Sequence, residues 1–171
     1  MTFNLAIKYL LRLFLLALLA ISIYLVNLFF MKPFSIDHFL AKETFLEIID
    51  SPESMTYIGI FDKYNWFTSH ASKLTIPSQK QLDRDKAKAK KILEILRSYD
   101  DENLSSIQRA SKKIAIFDTE NTLLRLETFP FHNYVLNQIG GAHIDMVEFM
   151  TDTHPIRNLP EAEAYLSLIH I

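Results

Sequence analysis

Six histidines are the side chains best suited to chemistry in this chain: His38, His70, His132, His143, His154 and His170. A helical zinc pair needs two of them three or four positions apart, with a glutamate beside the first as general base. No two stand at that spacing, and no His-Glu-x-x-His occurs. His143 and Glu148 are five apart, which places them on different faces of a helix. Zero Cys excludes a disulfide framework, a zinc ribbon and a thiol nucleophile. There is no Gly-x-x-x-x-Gly-Lys phosphate loop and no Gly-x-Ser-x-Gly elbow, and Gly140-Gly141 lacks the flanking strand and helix of a phosphate cradle. Each histidine therefore reads as a surface residue or a satisfied core residue. No catalytic residue and no metal ligand is assigned on residue type and spacing.

The elements that would position such residues divide the chain sharply. Among the first 31 residues only Thr2, Asn4, Lys8, Arg12, Ser22 and Asn27 are not apolar, and no charge falls between Leu13 and Met31. A helix over residues 13–31 is about 28 Å long, close to the thickness of a bilayer core. Ala17-Leu18-Leu19-Ala20 lacks the small-residue spacing of a signal cleavage site, so the segment 1–32 reads as an uncleaved signal anchor. Lys8 and Arg12 precede the apolar run, which predicts a cytoplasmic N-terminus, insertion in the inner membrane, and a periplasmic or extracellular remainder. All 20 acids but only 15 of the 18 basic residues lie after Lys32. The overall charge of −2 offers no electrostatic reason to bind nucleic acid.

Residues 33–165 read as all-α. A helix is predicted from Ser35 to about Asp50, with Ile36, Phe39, Leu40, Leu46 and Ile49 as its apolar stripe, ended by Ser51-Pro52. Residues 53–77 read as a long irregular segment whose aromatics, Tyr57, Phe61, Tyr64, Trp66 and Phe67, pack into the core. Ser78 with Gln81 forms a capping box that opens a helix to about Tyr99, striped by Ala89, Ile92, Leu93, Leu96 and Tyr99. Its basic run, Lys86 to Lys91, reads as a solvated face. Asp100 to Asn103 breaks it, and Ser105 with Gln108 opens the next helix. There Ile107, Ala110, Ile114, Phe117, Asn121 and Leu124 recur at heptad spacing, which predicts the seam of an antiparallel hairpin. A short helix over about Ile144 to Met150, a turn at Thr153-His154-Pro155-Ile156 and a helix opened by Asn158 with Glu161 follow.

The most specific stretch runs from Phe129 to Tyr165. Phe131-His132-Asn133-Tyr134-Val135-Leu136-Asn137-Gln138, Gly140, Phe149-Met150, Thr153-His154-Pro155-Ile156 and Ala162-Glu163-Ala164-Tyr165-Leu166 resemble the bacterial family called domain of unknown function 885. The upstream order of elements is similar, so the resemblance covers roughly residues 36–166. It implies the N-terminal part of a much longer, mostly helical, exported protein resembling zinc-dependent peptidases. It also implies that the metal signature, a His-Glu followed shortly by Gly-His-His, lies downstream. No cofactor is then expected in this chain, and zinc is expected in the full-length protein. Asn137, Gln138 and His154 match family-typical positions and are its candidates to line a cleft. Leu166-Ser167-Leu168-Ile169-His170-Ile171 matches an in-frame translation of a transposon end used in sequencing libraries, so 166–171 reads as a non-native tail. The resulting expectation is a membrane-anchored hydrolase fragment, inactive by itself, whose missing C-terminal half completes its domain and its peptide-binding site. The alternative is a small membrane-tethered helical adaptor or scaffold without activity.

Overall fold

The computed structural model describes residues 2–76, 78–130, 136 and 140–170, with side chains from Ile7 onward. The described residues form eight α-helices joined by short 3-10 and π turns, and no strand occurs among them. Among the described residues an antiparallel bridge pairs Leu136 with Gly141. The all-α expectation holds.

Helix α1, Thr2–Phe30, is long and apolar enough over Ile7–Phe30 to cross a membrane, and almost none of that span is covered by the rest of the chain. Such a helix is compatible with a single-pass anchor. Asn27, one of the polar residues of this helix, is buried. Its Nδ2 donates to the Lys32 carbonyl at 2.8 Å, and its Oδ1 accepts from the Phe34 amide at 2.9 Å. One side chain thus closes the turn that leads into α2, Ile36–Asp50, whose N-cap Ser35 accepts from the Asp37 amide.

Ile36 and Phe39 of α2 are fully buried, and they meet Leu96 of α5, Gln79–Ser98, and Tyr99, the C-cap of that helix. Burying side chains of this size contributes about 1.5–3 kcal/mol each. Leu40, Ile92, Ile95, Leu104, Ala115 and Ile116 extend this core. Ser51 serves two helices. Its amide donates to the Ile48 carbonyl to end α2, and its hydroxyl accepts from the Ser54 amide to start α3, Pro52–Ile58. Pro52 sits in the first turn of α3, where the missing N–H costs nothing.

Residues 53–77 are not the irregular segment the sequence predicts. Among the described ones are α3, a 3-10 turn at Asp62–Tyr64, the four-residue α4 at Asn65–Thr68 and a 3-10 turn at His70–Ser72. Nor do their aromatics form the core. Trp66 is 81% exposed, and Tyr57, Tyr64 and Phe67 are also exposed, while Phe61 is half-buried against Phe45. The short turns close on Met55, Thr56, His70 and Ala71 instead, which leaves the bulky rings outside.

Helices α5 and α6, Ser106–Thr128, form the predicted hairpin across the 3-10 turn Asp101–Asn103. The Ser105–Gln108 capping box is complete: Ser105 Oγ accepts from the Gln108 amide, and Gln108 Oε1 accepts from the Ser105 amide. At the start of α5 only half the box forms, because the Gln81 side chain turns to Asp85. The α5 stripe packs inward as predicted. The α6 seam does not. Ile107, Ile114, Phe117 and Leu124 are 61–78% exposed, and Ala110 and Asn121 are exposed beside them. Lys112, Ala115, Ile116, Thr119 and Leu126 face the hairpin in their place. The helix is apolar on two opposite faces, and the less hydrophobic one makes the fold.

Helix α7, Ala142–Glu148, runs into a π turn at Phe149–Thr153. Helix α8, Leu159–Leu168, packs on the His70–Ser72 turn through Ala164 and Leu168. Residues 166–168 of the expected tail belong to this helix, and Leu168 is buried.

Candidate functional site

A polar cluster joins the middle of the chain to α8. His70 is 1% exposed, held where the αL residue Ser69 turns the chain from α4 into the next turn. Its Nδ1 lies 2.6 Å from Thr68 Oγ1, and its Nε2 lies 3.6 Å from Asp62 Oδ1, beyond hydrogen-bond reach. A carboxylate facing Nε2 favours a proton there, so we assign the Nε2–H tautomer, with the Thr68 hydroxyl donating to Nδ1. Burial holds the His70 pKa below its ordinary value, and the nearby Asp62 carboxylate offsets this only in part.

Thr68, His70 and Asp62 stand in the order of an acyl-transfer triad. Three observations argue against that use. The imidazole has no exposed edge for a substrate proton to reach. Asp62 Oδ2 is engaged by Arg157, whose guanidinium and backbone amide also bind the Glu161 carboxylate. Thr68 Oγ1 lies within 3.3 Å of the Tyr64 carbonyl, a second local partner that competes for its proton. The cluster ties the chain together. Arg157 is held charged by Glu161 and then Asp62, and Glu161 is held ionised chiefly by the hydrogen bond from Arg157. Asn158 caps α8 by accepting from the Glu161 amide at 3.0 Å.

His154 belongs to the same junction. It is buried, and its Nε2 donates to the Ala71 carbonyl at 2.8 Å. Phe149 and Tyr165 pack edge-on against its ring, with centroids 6.0 and 5.4 Å away. In this structure its ring satisfies a backbone group and fills the core between α8 and the His70–Ser72 turn. Asn137 and Gln138, the other two cleft candidates, lie outside the described residues, as do His132 and Pro77. Among the described residues no group of three or more His, Asp or Glu side chains converges as a metal site.

A second feature lies among the aromatics that the sequence reading placed in the core. Ile49, Met55, Phe61, Tyr64, Trp66 and Phe67 bound an open apolar recess of about 580 Å³. The only signal for it was the density of aromatics in residues 57–67, which fits a core equally well. Comparison of the chain with family models, with curated proteins and with solved structures gives no match.

Proposed function

We propose that this chain is the membrane-anchored N-terminal part of an exported metal-dependent hydrolase acting on peptides. The anchor half of the reading is supported by α1, whose apolar side chains point away from the rest of the chain over Ile7–Phe30. Lys8 and Arg12, at the N-terminal end of that span and before the uncharged run that begins at Leu13, favour a cytoplasmic N-terminus, with the helical domain on the far side of the inner membrane. The hydrolase half rests on the resemblance of residues 129–165 to domain of unknown function 885. The Thr153-His154-Pro155 knuckle of that stretch is a packed junction here. The metal would polarise a peptide carbonyl and activate water. No step of that chemistry is assigned to a residue of this chain, whose part is to hold the domain at the membrane.

Reading the coding frame past Leu166 in the source genome tests this directly. A frame that continues to a His-Glu and Gly-His-His segment, in a protein that retains zinc and cleaves peptides, is the expected result. A native stop codon after Ile171 would overturn the hydrolase reading.

The second reading, a membrane-tethered adaptor, is favoured by the recess beside Trp66 and Phe67, an apolar surface of the kind that docks partners. It predicts that a protein ending at Ile171 is expressed, inserted and folded without hydrolytic activity.

A further inference from the structure

We propose that α6 pairs with α6 of a second copy of this chain as a parallel, in-register two-stranded coiled coil. The outward face carries the pattern that such pairing needs. Ile107, Ile114 and Asn121 stand at successive a positions, and Ala110, Phe117 and Leu124 at the d positions between them. All six are exposed, so the seam is open to a partner without any rearrangement of the hairpin behind it. β-Branched residues at a favour two strands, and a lone Asn at a fixes register and strand number by facing the partner's Asn; within one chain its Nδ2 donates to the Phe117 carbonyl at 2.9 Å.

The number of opposite-charge contacts and the Asn121 layer together favour the parallel sense. The g positions hold Lys113 and Glu120, and the following e positions hold Asp118 and Arg125, all exposed. In a parallel pair Lys113 meets the partner's Asp118, and Glu120 meets the partner's Arg125, so both g–e′ contacts join opposite charges. An antiparallel pair centred on this seam, with Ile107 facing the partner's Leu124, keeps only Lys113 against the partner's Glu120 and sets Asn121 against the partner's Ala110. Glu120 also binds Arg97 of α5, a half-exposed pair that leaves its carboxylate within reach of a second cation. Two and a half heptads is short for a free coiled coil. Confinement of both copies to one bilayer through α1 raises their effective concentration. That last argument rests on the anchor reading, whereas the seam itself does not.

The chain has no cysteine, so single-cysteine variants report the contact cleanly. The full chain is inserted into membranes as Asn121→Cys, Ile114→Cys or, as a control on the exposed start of α5, Lys80→Cys, and oxidised with copper–phenanthroline. Both a-position variants should give at least about fivefold more disulfide-linked dimer than the control. Adding Lys113→Asp to Asn121→Cys should abolish the excess, and adding Asp118→Lys to that pair should restore it. Asn121 is exposed, so its replacement leaves the core intact, and circular dichroism of each variant checks this. If neither a-position variant exceeds the control while helix content is unchanged, the pairing is wrong. If both instead resist maleimide labelling as monomers, the seam is covered by other chain and the pairing is equally overturned. Carbonate extraction reads the anchor separately: release from the membrane would refute the anchor, and the same cross-linking in solution would still decide the seam.

Discussion

The Tyr99 hydroxyl, at the end of α5, donates to the Pro33 carbonyl at 2.7 Å, just beyond the turn that leaves α1. Lys32 reinforces the contact from above. Its Nζ lies 4.4 Å from the Tyr99 ring centroid and donates to the Ser98 carbonyl at 2.7 Å. Two segments far apart in sequence, Lys32–Pro33 and Ser98–Tyr99, therefore meet at one phenol. Tyr99→Phe should lower unfolding stability by about 1–2 kcal/mol, because the buried Pro33 carbonyl loses its donor. Tyr99→Ala should cost more, since the ring also packs on Phe39. Denaturant unfolding of the full chain in detergent, followed by circular dichroism, measures both.

The same phenol predicts an alkaline transition. Burial pushes the Tyr99 pKa up from 10.0 to about 12. The folded state thus favours the neutral form. Its contribution is fully present below pH 10 and is lost as pH rises toward 12. An ultraviolet titration should show one tyrosine ionising late, and Tyr99→Phe should remove that step.

His70 predicts the acid side. Its folded pKa lies below the ordinary histidine value, because burial disfavours the charged ring. The unfolded chain therefore binds the proton more readily, and stability is complete above that value and falls as pH drops through it. The thermal midpoint should decline between about pH 7 and pH 5, within the ordinary histidine range. His70→Asn should be less stable at pH 7 but show a flatter profile. An unchanged slope in the variant would remove His70 as the cause.

Lys112 closes the hairpin from within. Its buried amine donates to the Tyr99 carbonyl and to Asp101 Oδ1, the latter at 2.6 Å, and this bond holds the Asp101 pKa below the usual range. Lys112→Met should lose about 1–3 kcal/mol by leaving the Tyr99 carbonyl without a donor. Ser105→Ala, which breaks the adjacent capping box, should lose about 1 kcal/mol. Comparing their denaturation midpoints ranks the two contributions.

The rings around the open recess should be dispensable for folding. Trp66→Ser with Phe67→Ser removes exposed apolar surface, so it should change stability by less than about 0.5 kcal/mol. Dye binding that reports exposed hydrophobic surface should fall in the same variant.

What could be read from residues alone follows a physical division. Helix ends were legible because capping is local: Ser35, Ser105 and Asn158 each accept from an amide two or three residues on. The α5 stripe was legible because that helix is apolar on one side only. On α6 the strongest periodicity, Ile107 to Leu124, marks the outward face. The inward face is built from Ala115, Ile116, Thr119 and Leu126, which a hydrophobicity count ranks lower. A two-faced helix carries no local sign of which face its own chain will cover. The aromatics of residues 57–67 failed similarly, because ring type alone does not distinguish a core from a docking surface. The His70–Asp62–Arg157 junction was invisible, since its members lie up to 95 positions apart and meet only after α8 docks.

The Asn27 clamp has a mechanical consequence. Only residues 31–35 separate α1 from α2, a length of at most about 17 Å even when stretched. Here the Asn27 side chain folds that length back on itself through Lys32 and Phe34. A domain on a slack stalk sweeps a hemisphere, whereas this one is bolted to its mast at a set tilt. With α1 in a bilayer, the domain is restricted to a shallow layer over the lipid. It then searches in two dimensions, and whatever it acts on or binds must travel within the membrane or descend to its surface.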